Sequence, residues 1–260
     1  MTFGLIFTSY RTAEYLTAAI TPWVNARKTG VAGHSLKIAA VSCPFIGFDL
    51  PPEDGTTDRL REFRDNGSLD FLITSEEPVT EVHARGQALR ELVAAGVDVL
   101  IQWDGDEVIT AEEIERLLKF VESRPLVTWM RLPYRNLVFT RNQYLAEPFA
   151  PPRIHRVKSG SYRAAGFWDD NNVEYHGVIT RDIKKDTHFS CLTVPAAIAN
   201  PLHYTWLNDA RSKRKVDYQT RGRLWECSFS WDDRKGGLIF NEDYYWKRGL
   251  QLPEVRRISE

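Results

Sequence analysis

Over roughly the first 120 residues, short apolar runs alternate with helix-length amphipathic stretches, and this alternation constrains the fold more than any other feature of the chain. Residues 3–8 read as a buried strand. A helical pattern follows from Ala13 to about Arg27, with Leu16, Ala19, Ile20, Trp23 and Val24 on one stripe. Pro22 predicts that this helix ends or kinks there. Residues 36–41 form a second apolar run, 42–57 are irregular and rich in Pro, Gly and Asp, and 69–74 form a third run. Residues 80–95 carry a stripe of Ala88, Leu89, Leu92 and Val93, and Gly96 supplies the stop. Residues 97–103 read as a fourth strand. Thr110 and Glu113 form a capping box that opens a helix with Ile114, Leu117, Leu118 and Val121 on one face. Strand–helix units of this size close by right-handed crossovers, which predicts an α/β fold with a mainly parallel, Rossmann-like sheet in the first half.

After residue 126 the pattern changes. Residues 127–132, 136–140 and 152–157 read as strands of a mixed or antiparallel arrangement, with Pro148, Pro151 and Pro152 in the loops. Residues 207–224 are polar and predicted helical, with Arg211, Lys213, Arg214, Lys215, Arg221 and Arg223. No Ser/Gly linker separates the halves, so residues 1–260 are expected to form a single domain with two subregions, 1–125 and 126–260.

Composition excludes several classes. A chain of 260 residues that is 43% hydrophobic and 27% charged is neither disordered nor collagen-like nor a coiled coil. No apolar run reaches the ~18 residues a membrane span needs, and a cytoplasmic protein is expected. Cys43, Cys191 and Cys227 form no C-x-x-C pair, against a disulfide framework or a zinc ribbon. The sequence also lacks the Gly-rich signatures of P-loop enzymes and dinucleotide dehydrogenases and the nucleophile elbow of α/β-hydrolases. The net charge of −1 hides an asymmetry: residues 1–130 carry 12 basic and 20 acidic side chains, residues 131–163 seven basic and one acidic. A basic surface in the second half suits the phosphates of a nucleotide or a nucleic-acid strand.

The strongest local signal is Trp103-Asp104-Gly105-Asp106-Glu107, between an apolar strand and a capped helix. Ligands of open parallel sheets bind outside the carboxyl ends of the strands. Two carboxylates at spacing two, with a glycine that frees the backbone to turn, can present oxygens to one hard cation, diphosphate and water completing its shell. In the turn after the first strand, Thr8 and Tyr10 are candidates to meet a nucleotide. Arg85 is placed to pair with a diphosphate, and Asp49 to accept from a base or ribose. Phe167-Trp168-Asp169-Asp170 couples aromatic surface to carboxylates, a combination suited to a sugar ring and a general base.

These pieces resemble the family 2 glycosyltransferases of the GT-A fold. The resemblance covers about half the chain: Ile6-Phe7-Thr8-Ser9-Tyr10 through Glu14-Tyr15-Leu16, then Ala84-Arg85-Gly86-Gln87-Ala88-Leu89, then Val97 through Glu107, with Asp104 and Asp106 at the DxD positions. Arg11 and Gly86 stand where that family often has Asn, and the acidic pair usual after the second strand is missing. The resemblance implies a nucleotide-sugar-binding half (1–125) and an acceptor-binding half (126–260). It implies that Asp104 contacts a nucleotide-sugar, a UDP-sugar foremost, and that Asp104, Asp106 and His203 hold Mn²⁺ or Mg²⁺. It further implies that Asp170, ahead of Asp169, is the acceptor-activating base if the enzyme inverts configuration, inversion and retention both staying open, with Trp168 and Trp206 facing the acceptor. The chain looks most like compact phage and bacterial members, some of which decorate hydroxylated DNA bases; DNA is therefore one candidate among hydroxyl acceptors, and a phage origin would place the protein in host cytoplasm. Two alternatives stand beside this reading: a metal-dependent nucleotidyltransferase, and a non-catalytic carbohydrate- or nucleic-acid-binding module. Oligomeric state is not legible.

Overall fold

The computed structural model describes residues 1–46, 54–146, 150–157, 162–168, 174–181, 190–207, 212–213, 216, 229–235, 237–247 and 251–258, with backbone only at 32, 162–168, 174–181, 205 and 244. In chain order the first half runs β1 (Thr2–Thr8), α1 (Ala13–Thr29), β2 (Ser35–Ser42), α2 (Thr56–Asp65), β3 (Phe71–Thr74), α3 (Glu81–Ala94), β4 (Val99–Asp104), β5 (Glu107–Val108) and α4 (Ala111–Glu122). Strands dominate thereafter: β6 (Trp129–Arg131), β7 (Arg135–Phe139), β8 (Gln143–Leu145), β9 (Pro152–Arg156), β10 (Tyr162–Trp168), β11 (Glu174–Arg181), β12 (Cys191–Thr193), β13 (Leu202–Leu207), β14 (Phe229–Asp232), β15 (Gly237–Phe240), the short helix α5 (Glu242–Lys247) and β16 (Val255–Arg257).

The chain divides into two compact units. The first unit takes residues 1–46, 50–133 and 150–201, the second chiefly 134–149 and 202–260. The first is built on a seven-stranded sheet of order β12-β6-β9-β4-β1-β2-β3. Strands β4, β1, β2 and β3 are mutually parallel. Strand β9 runs antiparallel to both β4 and β6, so the expected α/β architecture, parallel core with mixed flank, is observed. The second unit contains a mixed sheet, β7 lying between antiparallel β8 and parallel β13, with β16 on the far side of β8.

Helix α1 passes through Pro22 and continues to Thr29, as its apolar stripe to about Arg27 predicts, and does not end at the proline. The proline removes the donor to the Ala18 carbonyl, but Ala18 lies on the exposed side. The opposite face is fully buried at Leu16, Ala19, Ile20 and Trp23, side chains worth roughly 1.5–3 kcal/mol each for the larger ones. Trp23 packs edge-on against Trp103 of β4 at 5.1 Å between ring centroids, which seats the helix on the strand that carries the acidic turn. Helix α2 has no counterpart in the sequence reading, because its interior is charged and only Thr56 and Leu60 are buried. The capping box of α4 is formed at both ends: Thr110 Oγ1 accepts from the Glu113 N–H at 3.2 Å and Glu113 Oε2 from the Thr110 N–H at 3.0 Å. No helix among the described residues is long and apolar enough to cross a membrane.

Candidate functional site

Strands β1 and β4 are parallel neighbours whose last residues, Thr8 and Asp104, are in register. Both therefore end at the carboxyl edge of the sheet, where the loops diverge and a ligand can lie across strand ends. Asp104, a quarter exposed, is held from two sides. The Arg85 guanidinium, from α3, donates to Oδ1 at 2.7 Å, and that of Arg153, from β9, donates to Oδ2 at 2.8 Å. Arg85 also pairs with Glu81 at 2.5 Å, and Arg153 with Glu107.

Glu107 closes the loop. Its Oε2 accepts from the backbone N–H of Asp104 at 3.0 Å, and its carbonyl accepts from the Trp103 indole N–H at 2.7 Å. Burial would by itself raise the Asp104 carboxyl, but the guanidiniums of Arg153 and Arg85 outweigh it and hold the group below the usual carboxylate range. Burial pushes the completely enclosed Glu107 up to about 8, against the pull of Arg153, with Asp104 and Asp106 adding to the rise. Both its oxygens nevertheless accept hydrogen bonds, an arrangement that the ionised form satisfies. Asp106 is 6% exposed and close enough to act electrostatically on both neighbours.

The glycine of the acidic turn has a different purpose from the one expected. Gly105 does not adopt left-handed backbone; a Cβ there would lie 2.5 Å from Ser9 Oγ and 2.7 Å from Thr12 Oγ1. It allows the β4 turn to press against the β1–α1 turn, and its N–H donates to the Thr8 carbonyl at 2.7 Å. Across that contact Ser9 and Thr12 share a 2.5 Å hydroxyl–hydroxyl hydrogen bond.

The β1–α1 turn is also tied to the segment that opens α2. The Thr12 N–H donates to Thr56 Oγ1 and the Ala13 N–H to Asp54 Oδ2, each at 3.0 Å. The start of α1 is thus capped from the start of α2. Asp54 Oδ1 in turn accepts from the N–H and hydroxyl of Thr56. Arg11, where the resembled family often has Asn, sits in left-handed backbone at φ 54°, a conformation Asn adopts more readily than Arg. Its guanidinium carbon lies 4.9 Å from the Tyr10 ring centroid, and Tyr10 is tilted against Phe45 at 6.3 Å.

Of the residues singled out from sequence, Thr8, Arg85, Asp104 and Asp106 meet at this edge of the first unit. Thr8 Oγ1 and Arg85 Nε are buried and have no hydrogen-bond partner among the described residues. Asp49 and Asp170 lie outside the described residues, and Trp168 ends β10, of which only the backbone is described. His203 and Trp206 belong to the second unit. His203 Nδ1 is 2.8 Å from Asn136 Oδ1 and its ring is tilted against Tyr134. Trp206 stacks on Phe229 at 4.7 Å within an apolar cluster containing Val138, Val216 and Leu238. The expected basic helix falls mostly outside the described residues, and Leu207 is in strand β13.

Sequence reasoning missed Glu81 and Arg153, and named Glu107 in the acidic turn without giving it a role. Arg153 belongs to the basic run 131–163, which was expected to face phosphate, but there it is buried against two carboxylates. Arg156 of the same run donates to the carbonyls of Val121, Arg124 and Val127. Part of the apparent basic surface is therefore spent inside the fold. Among the described residues no group of three His, Cys, Asp or Glu side chains is placed to enclose a metal ion.

No family model matches the chain, and no curated protein matches it. Among solved structures, residues 1–349 of S. aureus TarS align over 60% of this chain and 47% of that one, with 15% identity and a TM-score of 0.42. The same segment in complex with UDP-GlcNAc aligns over 60% and 45%, at 16% identity and a TM-score of 0.42, and its complex with UDP over 60% and 47%, at 16% and 0.41. The chain spans about half the length of these TarS structures.

Proposed function

We propose that the protein transfers a sugar from a nucleotide-diphosphate donor to a hydroxyl acceptor, as a GT-A-type glycosyltransferase. The observation that carries this reading is the strand-end cluster of Arg85, Asp104 and Asp106 beside Thr8. It joins a fixed carboxylate, a second carboxylate and a buried guanidinium at the edge of a parallel sheet where nucleotides bind.

The charge balance of the cluster supports a cation that accompanies the diphosphate. Glu81, Asp104, Asp106 and Glu107 against Arg85 and Arg153 leave a formal −2 with all groups ionised, and −1 with the raised Glu107 protonated. Either charge repels an anionic donor, and a compensating cation relieves that repulsion. The residues fit a divalent ion that arrives with the donor better than one caged beforehand by protein. Both oxygens of Asp104 already accept from guanidiniums, and Asp106, two positions on in the same turn, is the carboxylate proposed to hold Mn²⁺ or Mg²⁺ together with diphosphate oxygens. When bound, the ion would supply Lewis-acid neutralisation of the departing diphosphate. In this reading Asp104 orients the nucleotide-sugar and Arg85 meets diphosphate charge. His203 remains a proposed third ligand, which would have to use Nε2 because Nδ1 faces Asn136. Asp170 is proposed as the base that takes the acceptor proton, with Trp168 and Trp206 toward the acceptor. Tyr10 and Asp49 are proposed on the nucleoside side.

The test is nucleotide release from UDP-, GDP-, ADP- and dTDP-sugars, UDP-GlcNAc included, with Mn²⁺, Mg²⁺ or EDTA, in wild type and Asp106→Ala. Slow hydrolysis of one donor that needs metal and disappears in a normally folded variant supports the transferase and names its donor. Release of pyrophosphate from nucleoside triphosphates would instead identify a nucleotidyltransferase. Donor binding that persists unchanged in Asp106→Ala, with no turnover by either wild type or variant, would identify a binding module.

A further inference from the structure

We infer that Arg153 is a positioning residue of the diphosphate subsite, an inference that rests on the donor-site reading above. Its Nη2 lies between Asp104 Oδ2 at 2.8 Å and Glu107 Oε1, and Glu107 returns through Oε2 to the backbone N–H of Asp104. The ring of contacts therefore pins both the side chain and the main chain of Asp104. With Arg85 on the opposite oxygen, rotation about the last torsion of the aspartate is blocked. Arg85 alone would leave that torsion open.

A buried guanidinium is costly to desolvate and is retained where it satisfies more than one partner. Arg153 is 7% exposed and comes from β9, the strand that runs antiparallel to β4 with Ile154 opposite Ile101. It reaches the turn from a segment 49 residues away, so its contact depends on the sheet being assembled. Loss of Arg153 frees Asp104 Oδ2 and leaves the enclosed Glu107 without its counter-charge, and small displacements of a binding carboxylate cost up to about 10²-fold in function.

Calorimetric binding of UDP, GDP, ADP and dTDP with Mn²⁺ tests this in wild type, Arg153→Met, Arg153→Lys and Glu107→Gln, with melting temperatures alongside. For whichever diphosphate the wild type binds, Arg153→Met should weaken affinity by about tenfold or more, and Arg153→Lys, whose single nitrogen can still bridge two carboxylates, should recover most of it. A merely structural role would lower the melting temperature of Arg153→Met and leave the affinity of the folded protein unchanged. Folded Arg153→Met with wild-type affinity overturns the inference, as does Arg153→Lys that is no better than Arg153→Met at equal melting temperature. If Arg153→Met does not fold, Glu107→Gln decides: it keeps volume and an acceptor for the Asp104 N–H, so weakened affinity supports the inference and unchanged affinity overturns it. A wild type that binds none of the four diphosphates overturns the donor-site reading, and this inference with it.

Discussion

Arg85 Nη2 lies 2.7 Å from Asp104 Oδ1, a contact between an amphipathic helix and the last residue of the next strand, 19 positions on. Arg153 holds the other oxygen, so Asp104 is tied into the fold from two sides. Asp104→Ala takes one of two carboxylate partners from each of two buried guanidiniums, which keep Glu81 and Glu107, and should cost about 1.5–3 kcal/mol of stability. Asp106→Ala removes a charge that raises both Asp104 and Glu107, and should change stability by less than about 1 kcal/mol. Urea unfolding of the pair of variants checks the contrast.

Gly105→Ala places a methyl group against the hydroxyls of Ser9 and Thr12. Overpacking at such a contact should cost about 1–3 kcal/mol. Adding Ser9→Gly, which removes the nearest side chain, should restore part of the loss, and additive penalties in the double variant would show that the strain arises elsewhere.

Asp54 caps a helix that begins 41 residues before it, through the Ala13 N–H. Asp54→Ala should lower stability by about 1 kcal/mol, the usual worth of a side-chain cap. Amide exchange should quicken at Ala13 ahead of the rest of α1; uniform exchange along the helix would contradict the cap.

Burial pushes the Cys43 thiol up from 9.0 to about 11. A raised folded value means that the unfolded chain loses its proton first, so the contribution of Cys43 is fully present below pH 9 and is lost as pH rises toward 11. The stability difference between wild type and Cys43→Ala should narrow by about 2–3 kcal/mol across that interval. At pH 8, thiol labelling of the native protein should modify exposed Cys191 and spare Cys43, as read by peptide mass mapping.

The local grammar of the chain was legible in its residues. Strands β1, β2 and β4, helix α3, the α4 capping box and the acidic turn at a strand end follow from apolar periodicity and caps, which act over one or two helical turns. Helix α2 was missed, and α1 does not stop at Pro22, because tertiary packing overrides local preference: a buried Trp23 face carries α1 past its proline, and α2 forms from a segment with little apolar signal of its own. The same limit applies at the candidate site. Asp104, Asp106 and Arg85 stand out by spacing and position, whereas Arg153 and Glu107 do not differ in sequence from surface charges nearby. Glu107 is fully enclosed and Arg153 nearly so, and each meets its partner only after β9 pairs with β4. The sequence by itself determined which residues lie at strand ends. Only the assembled sheet decided which charges leave water to hold them, because burial and pairing depend on neighbours dozens of positions away.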